Sequence, residues 1–164
     1  MPLAVGTKAP DFTLSTKTAE GPKQIRLSEN FGKGNTVLLF FPMAFTGTCT
    51  TEMCEVSAGL NGYTSLNAAV YGISGDNPFA QEAWAQKEKI SVPLLSDYDH
   101  NVAQTYGVMY DSFLPQMNLG MSGVPKRSAF IIDRNGVVQY AESNDDARQL
   151  PNFDKIKAKL EELK

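Results

Sequence analysis

The stretch Thr36-Val-Leu-Leu-Phe-Phe-Pro-Met-Ala-Phe-Thr-Gly-Thr-Cys49 sets the reading of the whole chain. Its first six residues, Thr36 to Phe41, form an apolar run without alternation, bounded by Gly32 to Asn35 on one side and Pro42 on the other. That is the profile of a strand buried on both faces. A polar, glycine-containing turn follows. From Cys49 to Leu66 the apolar residues Val56, Leu60 and Tyr63 recur at spacings of four and three with no proline, which predicts a helix starting near Thr48 or Cys49. A thiol therefore stands where a buried strand gives way to a helix.

Working outward, Ala68 to Ser74 reads as a second buried strand. Asn77-Pro78 reads as a helix start, with Phe79, Ala83, Trp84 and Lys87 carrying the helix to about Lys89. Val92 to Leu95 is a short extended piece, Asn101 to Tyr106 a helix, and Ser128 to Asp133 a further strand. Arg134-Asn-Gly136 predicts a tight type I′ hairpin turn into Val137 to Ala141. Phe153 to Leu163 closes the pattern as a helix with Ile156 and Leu160 four apart. At the other end, Phe12-Thr-Leu14 and Ile25-Arg-Leu27 flank a polar segment and predict an N-terminal hairpin. This order is α/β, with a mixed central sheet flanked by helices on both faces. It is the order of a thioredoxin-like fold with an N-terminal β-hairpin extension. Residues 111 to 126 hold Phe113, Leu114, Met117, Leu119 and Met121 without periodicity, so this segment is expected to cover the core, an active-site wall or a subunit contact.

The 164 residues suit one domain, 1–164, with no repeat or linker. The hydrophobic, charged and aromatic fractions, 42%, 20% and 10%, exclude a disordered or fibrous chain. A net charge of −3 with scattered Lys and Arg argues against nucleic acid as a partner. The longest apolar run, Val37 to Phe45, is far below the roughly 18 residues of a membrane span. The N-terminus lacks the pattern of a signal peptide, so a cytoplasmic location is expected.

The cysteine inventory is Cys49 and Cys54. One staple across so short a loop would add little to a chain of this size, so the pair reads as redox or metal chemistry. At a helix N-terminus, unpaired backbone N–H groups and the helix dipole favour thiolate over thiol at Cys49 and can hold an anionic ligand. Thr46 can place its hydroxyl in the same turn, or simply cap the helix. Pro42 stiffens the strand exit and removes a donor. Thr48 belongs to the same turn as a supporting residue.

Together, Pro42-Met-Ala-Phe-Thr46-Gly-Thr-Cys49 resembles the Pro-x-x-x-Thr-x-x-Cys signature of the peroxiredoxins. The resemblance runs from Gly6-Thr-Lys-Ala-Pro-Asp-Phe12 through Pro93-Leu-Leu-Ser-Asp97 to the hairpin. It implies that Cys49 is the peroxidatic cysteine, that Thr46 and helix-start N–H groups orient the peroxide, and that Pro42 shields the site. Arg127, opening the strand Ser128 to Asp133, matches the family arginine, and Glu52 a glutamate that positions it; Glu52 also reads as an ordinary first-turn acid. The string Phe40 to Cys49 is most similar to AhpE-type members, which are often one-cysteine. A second cysteine five positions on is the mark of the PrxQ (bacterioferritin comigratory protein) branch, although Gly47-Thr48 stands where that branch usually has Pro-Gly.

The PrxQ likeness implies that Cys54 resolves a Cys49 sulfenic acid as an intramolecular disulfide, with a thioredoxin-like dithiol as reductant. On one helix a five-residue separation puts the Cα atoms roughly 8 to 9 Å apart. A disulfide usually needs less than about 7 Å, so the first turns must unwind. Hydrogen peroxide and organic hydroperoxides are the expected substrates, with no cofactor and no metal, in a monomer or homodimer. Two alternatives stay open: a one-cysteine peroxidase using an external thiol, and a redox-responsive binding module. Other cysteine chemistries fit poorly. The spacing is not Cys-x-x-Cys, Glu55 stands where a phosphatase loop needs arginine, and His100, expected at the surface, is remote for a protease or zinc site.

Overall fold

β3 (Asn35–Phe40) is buried at every residue. Its odd-numbered side chains Val37 and Leu39, with Phe41 just beyond, join one apolar cluster, while Leu38 and Phe40 join a second on the opposite face. The unbroken run thus serves two cores at once, because successive side chains point to opposite faces of a strand. This geometry belongs to a computed structural model of the chain, which describes residues 1–113 and 123–164. Leu114, Met117, Leu119 and Met121 of the expected covering segment lie outside the described residues. At its margins, Phe113 is buried with its ring centroid 5.1 Å from that of Tyr110, and Val124 is buried too.

β3 sits in a seven-stranded sheet of order β2-β1-β5-β4-β3-β6-β7. β3, β4 (Ala68–Ser74) and β5 (Leu94–Ser96) run parallel. β6 (Arg127–Ile132) and β7 (Val138–Asn144) pair antiparallel beyond β3. The predicted hairpin, β1 (Thr13–Thr18) and β2 (Gly21–Arg26), is joined to this sheet by one register position, Ser15 opposite Ser96. The mixed sheet and its thioredoxin-like element order agree with the expectation.

α1 (Gly47–Ala58), α2 (Leu60–Ser65), α3 (Pro78–Glu88) and α5 (Phe153–Leu163) all contribute side chains to the first cluster. α4 (Asn101–Thr105) and the N-terminal segment cover the other. α1 lies close on the sheet because β4 has a glycine beneath it: a methyl at Gly72 would fall 3.0 Å from the Met53 sulfur and 2.9 Å from Leu94 Cδ2. No helix among the described residues is long and apolar enough to cross a membrane.

Three local expectations need correction. The helix expected from Cys49 to Leu66 breaks at Gly59, which leaves the helical region with φ −101° and ψ 14°. Its N–H still bonds the Glu55 carbonyl at 3.2 Å, so glycine ends one helix and starts the next. The Asn135-Gly136 turn is not type I′, since only Gly136 there has a positive φ, 81°. The Asp133 carboxylate accepts from the Asn135 and Val137 amides, which stabilises a three-residue loop ending in a left-handed glycine. Phe79, near the start of α3, is 68% exposed, because the buried Trp84 is five residues away and therefore about 140° round the helix. His100 is half-buried with φ 64° at the start of α4 rather than a simple surface residue.

Candidate active site

Leaving β3, the chain makes its last regular sheet bond from the Phe41 N–H to the Ile73 carbonyl (3.0 Å), and buried Pro42 then offers no donor. Phe45 takes a left-handed backbone conformation, φ 67°, with its ring 55% exposed and Lys87 Nζ 6.0 Å from the centroid. Thr46 precedes α1 with extended backbone (φ −95°, ψ 152°). Its hydroxyl does not cap the helix but donates to the Met43 carbonyl at 2.9 Å. That commits the Thr46 proton and leaves the oxygen lone pairs as acceptors. Gly47, Thr48 and Cys49 form the first turn, where backbone N–H groups lack intrahelical acceptors. Thr48 is half-buried there.

One face of α1 carries Cys49, Glu52, Met53 and Val56, all buried, at the three- and four-residue spacing that stacks side chains along a helix. Arg127, first residue of β6, reaches this face from the sheet. Its Nη2 donates to Cys49 Sγ at 3.1 Å, its Nη1 to Glu52 Oε1 at 2.8 Å and its Nε to the Ala147 carbonyl at 3.0 Å. One planar fork thus bridges two residues three apart on the helix and is itself fixed by a third anchor. Exposure is 1% at Cys49, 0% at Glu52 and 2% at Arg127, so these interactions are almost unscreened by solvent.

Burial is the main influence on Glu52 and pushes its carboxyl up to about 7, although Arg127 pulls the other way. Its second oxygen, Oε2, is buried without a partner among the described residues. Burial also disfavours the Arg127 cation, but Glu52 and Cys49 together outweigh it and hold the guanidinium above its usual range. Arg127 is a fixed positive charge at the sulfur.

Cys54 stands apart. Both cysteines are free thiols on α1, but Cys54 lies on the flank of the helix, and its thiol donates to the Glu88 carbonyl at 3.6 Å. Burial, then the Glu88 charge, raises its pKa. The structure therefore brings together Cys49, Glu52 and Arg127, sets Pro42, Thr46 and Thr48 on the turn that leads into α1, and turns the Cys54 thiol to Glu88. Two supporting groups escaped the sequence reading. The Ala147 carbonyl has no signal in residue type. The Trp84 indole N–H donates to Thr50 Oγ1 at 3.0 Å, and Thr50 donates in turn to the Thr46 carbonyl at 2.8 Å. A single tryptophan on the inner face of α3 was visible, but not its partner.

A family model described as the AhpC/TSA family matches residues 5–141. The chain belongs to this family, the peroxiredoxins. Alkyl hydroperoxide reductase E of Mycobacterium tuberculosis is 34% identical over 142 residues, covering 85% of each chain. The crystal structure of peroxidoxin BcpB from the same organism superposes with a TM-score of 0.81 at 31% identity, over 98% of this chain and 97% of that one. The chloroplastic 2-Cys peroxiredoxin BAS1 of Spinacia oleracea is 32% identical over 148 residues, 86% of this chain; the match spans 52% of BAS1, about half its length. Peroxiredoxins of both the AhpE and Bcp kinds are thus among its relatives, and the chain is a thiol-dependent peroxidase.

Proposed function

We propose that this peroxiredoxin reduces hydrogen peroxide and organic hydroperoxides through Cys49, and that Cys54 resolves the product. The supporting observation is the Arg127 fork, one nitrogen on the Cys49 sulfur and another on Glu52 at the start of a helix. The Cys49 thiolate attacks one peroxide oxygen. The O–O bond breaks, and the other oxygen leaves as hydroxide or alkoxide and takes a proton. Arg127 and the first-turn N–H groups face the charge growing on the leaving oxygen. Thr46 Oγ1, its own proton already committed, accepts from the peroxide O–H. The sulfenic acid on Cys49 is then attacked by Cys54 sulfur, releasing water and forming the disulfide. A thioredoxin-like dithiol restores both thiols, in a cytoplasmic setting.

Both cysteines share α1, so the second step requires the helix to open between them. Opening must release Trp84 from Thr50 and Cys54 from Glu88, which makes the lone tryptophan a reporter of the step. One peroxide equivalent is expected to change Trp84 fluorescence in two phases, and intact mass to show loss of two hydrogens. In Cys54→Ser the slower phase should vanish, with one oxygen gained and recycling by thioredoxin lost. Undiminished turnover of Cys54→Ser with thioredoxin would sink the resolving role. The Cys54–Glu88 bond and the raised Cys54 pKa favour a second reading, a one-cysteine enzyme with an external thiol; accumulation of added oxygen on the unaltered chain would select it.

A further inference from the structure

We propose that Asp76 is a positioning residue for peroxide reduction: its carboxylate holds the Ala44 amide and so fixes the left-handed turn that presents Thr46 and the start of α1. The inference rests on the peroxidase reading above and adds a residue on a different element, the connection between β4 and α3.

After the Phe41–Ile73 bond the chain departs from β4, and Pro42 cannot re-form the ladder. The Ala44 N–H is then taken by Asp76 Oδ2 at 2.8 Å. The next residue, Phe45, has φ 67°, a conformation that a bulky side chain holds only where its surroundings over-determine it. Thr46 follows directly, with its hydroxyl turned back to Met43 inside the same turn. The Ala44–Asp76 bond is therefore the tie between the peroxide-facing loop and the sheet end.

Asp76 is held from behind. Its Oδ2 also accepts from the Ser74 hydroxyl at 2.7 Å, and its carbonyl accepts from the Ser96 hydroxyl at 2.6 Å. Ser74 in turn accepts from Gln81 Nε2 at 2.9 Å, and the same nitrogen donates to the Leu95 carbonyl at 2.9 Å. Ser74, Ser96 and Gln81 are all buried. Ser74 accepts from Gln81 and donates to Asp76, so these bonds run one way and meet the Ala44 N–H, which donates from the other side, on Asp76 Oδ2. Gln81 Oε1 is buried without a partner among the described residues, so the network holds this geometry at some cost in stability. A displacement of about 1 Å in a group that orients substrate can cost about a hundredfold in rate.

Asp76→Ala removes the acceptor, whereas Asp76→Asn keeps an oxygen able to accept both bonds. Two reactions of the pre-reduced full-length chain separate orientation from nucleophilicity. One is loss of the Cys49 thiol to hydrogen peroxide, which needs the oriented loop. The other is alkylation of Cys49 by iodoacetamide, read by peptide mass, which does not. Asp76→Ala is expected to slow the peroxide reaction by roughly 10- to 100-fold. Alkylation should change by less than about threefold, and Asp76→Asn should restore the peroxide rate to within about threefold. Asp76→Ser, too short to reach Ala44, is the second variant if alanine fails to fold, and it should show the same split. Equal loss in both reactions, no loss, or an asparagine variant as slow as alanine overturns the positioning role. A parent chain that is alkylated at Cys49 but not oxidised by peroxide overturns the peroxidase reading instead.

Discussion

Cys49→Ser is expected to abolish peroxide consumption, lowering turnover by about four orders of magnitude or more, while the chain stays folded. The sulfur is the atom that gains the peroxide oxygen, and a serine hydroxyl in the same place is neither ionised nor polarisable enough to break an O–O bond. Stability should hardly change. The serine oxygen is close in size to the thiol, and Arg127 Nη2, 3.1 Å from the sulfur, can donate to it in the 1%-exposed pocket. The check is peroxide removal at substoichiometric protein with a dithiol reductant, alongside a thermal melt. Catalytic consumption by a folded Cys49→Ser chain would remove the whole scheme.

The second large effect is expected at Arg127, where chemistry and folding can be pulled apart. Arg127→Met removes the cation from the sulfur and should slow the peroxide reaction by roughly 10²- to 10³-fold, as loss of one charge-stabilising donor does elsewhere. It also leaves Glu52 fully buried with no counter-charge, a loss of about 3–5 kcal/mol if the carboxylate stays ionised. Arg127→Met with Glu52→Leu replaces both charges by apolar groups, so the double variant should regain most of that stability and none of the rate. Recovery of peroxide reactivity in the double variant would show that Arg127 only neutralises Glu52.

The same pair gives a pH signature. Glu52 titrates near 7 when folded, above its ordinary value of 4.5, so the folded state binds the extra proton in that window. Its contribution to stability is therefore fully present below about 4.5 and is lost as pH rises to about 7. Without the guanidinium, which pulls the carboxyl down, the window extends further upward in Arg127→Met. Chemical denaturation across this range should show the slope, and Glu52→Gln should flatten it.

Much of this was legible in residue order. The buried run Thr36 to Phe41, the Asn77-Pro78 start of α3 and the four-residue spacing in α5 follow from local chemistry that tertiary contacts reinforce. Cys49 was visible for a different reason: it stands at the start of a helix, where the backbone aims the side chain, whereas Arg127 was visible only through its match to the family arginine. What stayed hidden depends on partners brought together by the sheet order. Asp76 lies 32 positions from Ala44, and nothing in its neighbours points there. Thr50 and Trp84 are 34 apart, and so are Cys54 and Glu88. Gly59 was readable as a weak point in a helix, but the apolar spacing across it was continuous and masked the break. The Asn-Gly turn failed because Asp133, just before it, competes for the same amides.

Those two 34-residue pairs share one partner. Trp84 and Glu88 are four residues apart, one turn of α3, and each grips α1 close to one of the two cysteines. Two grips on one rigid rod do not let go independently. Disulfide formation would accordingly be all-or-none across the segment, with no half-open form accumulating. How long the sulfenic acid waits before capture, and hence how much surplus oxidant it meets, would be set by the seating of α3 rather than by the sulfur chemistry itself.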